Sequence, residues 1–266
     1  MNLLLTEPEP FDGVRSGRLS EAISRSDLHL RRGRVADLIG LIVEATGLEA
    51  QVGEVCLVEV GRGVDPVKAE VVGFRSQRTL LMPLGDMQGI GPGNLVTATG
   101  QQLRTPVGEG LLGRVLDGLG EPIDGRGPVD AHALAPVVAP PPDPLTRPRI
   151  TERIGVGVRA LDGLVPCGRG QRLGIFAGSG VGKSSLLGMI SRSGAQSAEQ
   201  RVNVICLVGE RGREVREFVE RDLGDAIAHS VVVVSTSDQP ALVRIKAALT
   251  ATTIAEWFRD QGADVV

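Results

Sequence analysis

Apolar positions between residues 33 and 100 fall in short runs, at 35–43, 52–60, 68–74, 79–84 and 94–99. Turn formers separate them: Gly47, Gly61, Gly63, Gly85, Gly91, Pro92 and Gly93. Runs of this length, broken about every 8–12 residues, predict five or six strands in a small β-barrel. Beyond about residue 170 the pattern changes. Strand-like runs at 172–177, 202–208 and 231–235 alternate with helix-like runs at 183–193, 214–223 and 240–259. That alternation predicts βαβ units on a mostly parallel sheet, hence an α/β domain. The 240–259 helix carries Leu242, Ile245, Leu249 and Trp257 near one face, and "SDQP" before it supplies an N-cap with proline in the first turn. Asp264, Val265 and Val266 read as the opening of a further strand with no turn after it, so the sheet is expected to be incomplete at its C-terminal end.

The stretch 135–150 holds six prolines. Proline blocks both helix and central strand, so an extended connector is expected. The organisation predicted is an N-terminal segment at 1–32 with a short amphipathic helix at 19–30, a barrel at 33–103, a connector at 104–150 and a partial α/β domain at 151–266. A length of 266 residues suits two domains of roughly 100–200 residues each.

Composition narrows the chemistry. The formal net charge of −3 gives no drive toward nucleic acid or an anionic membrane. Aromatic residues make up 2% and tyrosine is absent, which leaves base-stacking platforms poorly supplied. Cys56, Cys167 and Cys206 are odd in number, widely spaced and free of any CxxC, so buried thiols in a reducing compartment are expected rather than disulfides or zinc. His29, His132 and His229 lack metal-ligand spacing. No apolar run approaches the ~18 residues of a membrane span, and "MNLLLTEPEP" lacks the features of a signal peptide.

One stretch reverses the usual logic of core sequence. "GIFAGSGVGKSSLLGMI" (174–190) places three glycines and a lysine between two apolar runs. "AGSGVGKS" fits the phosphate-loop pattern GxxxxGK[ST] except that Ala177 stands first. Glycine lets a backbone wrap closely enough to aim several N–H groups at one polyphosphate, and the following helix adds its positive N-terminus. The phosphate-cradling candidates are Gly178, Ser179, Gly180, Val181, Gly182, Lys183, Ser184 and Ser185, with Lys183 reaching the outer phosphates and the Ser184 hydroxyl offered to Mg²⁺. A second motif, "LVGERGREVREF" (207–218), sets Glu210 and Arg211 just after a predicted strand. Strand C-terminal ends converge on the ligand crevice of such sheets. Glu210 is thereby placed to polarise an attacking water and Arg211 to stabilise charge on the transferred phosphoryl group.

These stretches, with "VVSTSDQPALVRIKAALTATTIAEWFRDQG", resemble the catalytic-subunit branch of the rotary ATPase family, and within it the flagellar protein-export ATPases. "LLGRVLDGLGEPIDG" and "GVRALDGLVPCGRG" resemble the family's segments around the connector, and the resemblance covers roughly residues 30–266. It implies a β-barrel followed by a RecA-like phosphate-loop NTPase core, a homohexameric ring, and hydrolysis of ATP with Mg²⁺ to energise type III protein export. It also implies catalytic roles for Lys183, Glu210 and Arg211, and partners among export-apparatus proteins, a regulatory subunit, and export substrates with their chaperones. A cytoplasmic location, at most peripheral to the membrane at the export gate, is implied as well. Injectisome export ATPases share "GERGREV" and form the alternative. Such relatives continue past residue 266 into a Walker B aspartate, an adenine pocket, an arginine donated to the neighbouring site and a helical domain, so the chain as it stands is expected to bind nucleotide without sustaining turnover. A rival of another class is an RNA-tracking hexameric motor. Its barrel should display aromatics and basic residues together, whereas residues 33–100 hold Phe74 alone among aromatics and few arginines.

Overall fold

The computed structural model describes residues 30–178, 180–195 and 201–266. The helix expected at 19–30 therefore lies outside the described residues, apart from Leu30.

Six strands close the barrel: β1 (Arg32–Ile39), β2 (Ile42–Thr46), β3 (Glu54–Val58), β4 (Val67–Arg75), β5 (Arg78–Pro83) and β6 (Leu95–Gln102). Their order is β1-β2-β5-β4-β3-β6, with all neighbours antiparallel. Alternation sends Val35, Val43, Cys56, Val58, Val71, Leu81 and Val96 inward. The apolar run at 35–43 yields two strands because Gly40, at φ +61, opens a two-residue hairpin that pairs Ile39 with Ile42. Cys56 and Cys206 are free thiols, and burial pushes them up to about 12 and about 11 respectively.

Residues 104–150 do more than connect. β7 (Arg104–Val107) pairs antiparallel with β9 (Ala133–Pro136), and β8 (Val115–Asp117) joins the second sheet. That sheet runs β12 (Asn203–Val208), β13 (Ser230–Ser235), β8, all parallel. Residues 264–266 extend it beyond β12, through a parallel bridge between Val202 and Val265. Ahead of that sheet in the chain, β10 (Arg153–Ile154) pairs antiparallel with β11 (Cys167–Gly168), and α1 (Arg159–Leu164) joins them. Arg114 secures the β8 region. Its guanidinium grips both carboxylate oxygens of Asp124 at 2.7 and 2.9 Å and donates to Gly127 O and Pro128 O. This grip holds the Asp124 carboxyl well below the usual carboxylate range. A depressed folded-state pKa stabilises above the unfolded value, near pH 4, and that stability is lost as pH falls. Thermal unfolding between pH 7 and pH 3 should accordingly show a Tm that drops less steeply in Asp124→Asn than in the wild type. Parallel slopes would show that the pair contributes nothing to acid sensitivity.

β13 is buried along its whole length, as a strand covered on both faces requires. Val231 and Val233 face α4 (Ala241–Asp260), while Val232 and Val234 face Leu187 of α2 (Lys183–Ala195) together with Phe218 and Leu223. Helix α4 presents Val243, Ala247, Ala251, Ile254 and Phe258 to its surroundings as buried residues, spaced by three and four. This corrects the sequence reading of its face. Ile245 is exposed, and Leu242 and Leu249 turn toward the barrel, because the small Ala247 and Ala251 allow the sheet to approach. Its N-cap is Pro240, with no side-chain cap from "SDQP".

Two further expectations are corrected. The helix expected at 214–223 is α3 (Gly212–Glu217) followed by a π-helical turn over Phe218–Leu223. The wider turn brings Asp222 O against α2 at Gly188, where a Cβ would stand only 2.5 Å away. Residues 172–177 form no strand, and Phe176 is 98% exposed. A strand exists only through a hydrogen-bonded neighbour, and among the described residues this stretch has none.

Barrel and sheet meet through an apolar cluster of Val55, Leu84, Leu103, Leu119, Val137 and Val243. Two ion pairs flank it. Lys246 Nζ lies 2.6 Å from Glu70 Oε2, both largely buried, and Lys68 Nζ lies 3.0 Å from Glu121 Oε1.

Candidate active site

The loop ending at Gly182 leads directly into α2, whose first turn is closed by Leu186 N–H donating to Gly182 O. Gly180 and Gly182 have φ of +77 and +96, a region that side-chain-bearing residues rarely adopt. A Cβ built on Gly178, Gly180 or Gly182 would meet nothing within 4 Å. Packing inside the chain therefore does not demand glycine here. Backbone shape demands it at 180 and 182, and open space beside all three leaves room for an outside group to come close.

The loop borders a cavity of about 380 Å³ whose walls include Gly178, Gly180, Gly182, Lys183, Ser184 and Ser185 from this side, and Glu210 and Glu214 from the other. Glu210 arrives from the C-terminal end of β12. Gly209 turns at φ +75 and donates its N–H to Ser235 O at 2.8 Å, while Glu210 O accepts from Ser237 N–H at 3.1 Å. Two backbone bonds to the adjoining strand end thus fix where the carboxylate begins. Its Oε1 lies 3.7 Å from Lys183 Nζ, with both side chains partly exposed.

The remaining candidates are placed less centrally. Arg211 caps α3 and directs Nη1 to Glu214 Oε1 at 3.7 Å, so it reaches the cavity only through Glu214. Val181 is exposed and is not part of the wall. Ser179 lies outside the described residues. Glu214 was missed by the motif reading. The available signal was its position one helical turn after Glu210, on the helix that "GREVRE" opens.

The cavity joins one ammonium, the positive end of a 13-residue helix and glycine amides, a set suited to a polyphosphate anion. The Ser184 hydroxyl and the carboxylates of Glu210 and Glu214 add hard oxygen donors of the kind Mg²⁺ accepts, directly or through water. Among the described residues no group of three or more His, Cys, Asp or Glu could hold a metal ion.

Comparison with known proteins follows the same outline. The model of the ATP synthase alpha/beta family beta-barrel domain matches residues 35–100, and that of its nucleotide-binding domain matches residues 157–266. A flagellum-specific ATP synthase of Bacillus subtilis is 51% identical over 257 residues, covering 95% of this chain and 57% of its own. A type 3 secretion system ATPase of Xanthomonas euvesicatoria is 48% identical, covering 89% and 53%. Among solved structures, the assembled ATPase EscN from the type III secretion system of enteropathogenic E. coli superposes with a TM-score of 0.77 at 42% identity, covering 88% of this chain and 55% of that one. The chain spans about half the length of these relatives.

Proposed function

The chain belongs to the ATP synthase alpha/beta family, and from that membership we propose that it is the nucleotide-hydrolysing part of a motor that energises protein export through a type III secretion apparatus. The observation that carries the reading is the meeting of Lys183 and Glu210 across a glycine-walled cavity. Lys183 and the α2 amides bind and orient the phosphate tail. A phosphate oxygen competes with Glu210 for the Lys183 ammonium, and the released carboxylate is free to accept a proton from water beside the terminal phosphorus. Arg211 acts by positioning Glu214, and on a small rotation offers its guanidinium to the phosphoryl oxygens. Bound Mg²⁺ would neutralise phosphate charge, with Ser184 as its protein hydroxyl and Glu214 placed to hold one of its waters.

The flagellar branch is the narrower proposal, supported by the 51% identity to the Bacillus subtilis protein. The likeness to the assembled EscN supports, on this reading, a homohexameric ring working at the cytoplasmic side with export substrates, their chaperones and a regulatory subunit. No helix among the described residues is long and apolar enough to cross a membrane.

Equilibrium titration with a fluorescent ATP analogue and Mg²⁺ tests the reading. Saturable binding is expected, weakened about tenfold or more in Lys183→Ala, since a charged hydrogen-bond partner of the phosphates is removed. Absence of saturable binding in the wild type, or equal affinity in the variant, would overturn it.

A further inference from the structure

We infer that a second cavity, at the far end of α4, is a receptor for a guanidinium group, the side chain of an arginine presented by a partner protein. The inference is independent of the function proposed above. The cavity measures about 520 Å³, and its walls include Glu109, Gly110, Asp130, His132, Trp257 and Gln261.

Its shape is set in advance. A Cβ on Gly110 would stand 2.2 Å from Asp130 O, and one on Gly108, where φ is +148, would stand 2.6 Å from His132 N. His132 N–H donates to Val107 O at 2.8 Å. Loops 108–110 and 130–132 are thus in backbone contact, at a closeness only glycine permits, and the two acidic side chains are carried on a rigid base.

Three features select a cation. Glu109 and Asp130 line the cavity, and among the described residues neither has an ion-pair partner, whereas nearby Arg259 is engaged by Glu256 and Asp260. Gln261 is the C-cap of the 20-residue helix α4, so the negative end of the helix dipole faces the same space. Trp257 supplies an indole face, the strongest cation–π acceptor among side chains. Its ring is held edge-on by Phe258 at 5.0 Å and lies 6.1 Å from the His132 ring.

The form of the site chooses among cations. A guanidinium is flat, stacks on an indole and reaches a carboxylate with its donor fork at the same time. An ammonium does not stack. No set of ligating side chains here suits a bare metal ion. Polyanions, nucleotides included, are repelled by the two carboxylates.

Trp257 is the chain's single tryptophan, so intrinsic fluorescence reads this cavity directly. The protein is titrated at constant ionic strength with the capped peptide acetyl-Gly-Arg-Gly-amide, and in parallel with its citrulline and lysine counterparts. A saturable change is expected with the arginine peptide, half-complete at about 1 mM as befits one cation–π contact and one charged pair. The neutral citrulline peptide should give no saturable change, and the lysine peptide should bind several-fold more weakly. Glu109→Gln combined with Asp130→Asn should weaken the arginine response about fivefold or more. If circular dichroism shows that double variant unfolded, Glu109→Gln alone, on an exposed side chain, must weaken it about twofold or more. Equal responses to arginine and citrulline, an unchanged response in the folded variant, or a response to Mg²⁺ but not to the peptide would each overturn the inference.

Discussion

Glu210→Gln is expected to abolish steady-state ATP hydrolysis, by about 10²-fold or more, while leaving nucleotide binding intact or tightened. The substitution preserves side-chain volume and a hydrogen-bonding oxygen. It removes the carboxylate proposed to accept the proton, and losses of that size accompany removal of a positioned general base. Binding should not suffer, because on the proposed reading the removed charge would repel the phosphates, and it is the one that holds Lys183 at 3.7 Å. A free ammonium is more available to the incoming ligand than a paired one. The measurement is phosphate release and fluorescent-nucleotide affinity on a single preparation of protein that turns over ATP. A variant retaining most of its turnover would remove Glu210 from the chemistry. A variant losing turnover and affinity together would make it a binding residue. Glu214→Gln is the internal comparison: it borders the same cavity but pairs with Arg211 rather than Lys183, so it should not tighten binding to the same degree.

The second large effect is on stability. Lys246→Met should destabilise the protein by about 3–5 kcal/mol, the usual consequence of stranding one member of a buried ion pair. Glu70 would remain in the seam between barrel and sheet with its cation gone, since Lys246 Nζ stands 2.6 Å from Glu70 Oε2 and both side chains are about nine-tenths buried. Urea unfolding followed by far-ultraviolet circular dichroism measures the loss. Adding Glu70→Leu to Lys246→Met should recover most of it, because well-packed apolar groups often replace a buried pair at little or no cost. If the double replacement were as damaged as the single one, packing of the lysine stem rather than charge would be the cause.

The sequence disclosed most where local physics decides structure. Alternating apolar positions and glycine turns mark the barrel strands, as at β5, where Thr79, Leu81 and Pro83 face inward in turn. The glycine-rich loop was legible because glycines between two apolar runs point to a backbone such as the φ of +77 and +96 at Gly180 and Gly182. What stayed hidden depends on neighbours. β8 is three residues long, too short for any periodicity, and is a strand only because Val232, Val233 and Val234 of β13 lie beside it. Conversely, Leu173 to Ala177 has the composition of a strand and, among the described residues, no partner to make it one. The π-helical turn at 218–223 arises from contact with α2 across the fold, where Arg192 also donates to Asp222 O, and nothing within the segment announces it. Glu214 was overlooked for a related reason: a motif names the residues of a turn, while the helix that follows decides which of the next ones come back to face the cavity.

Helix α4 ties these parts together mechanically. Its lead-in is tied to the cavity wall, because Ser237 N–H donates to Glu210 O. Farther along, Lys246 is clamped to the barrel, Thr250 Oγ1 donates to Gly118 O and Thr253 Oγ1 to Val137 O. Twenty helical residues make a stiff rod about 30 Å long. The strand end that carries Glu210 and the barrel are thereby fastened to one rigid element, which fixes the distance between them.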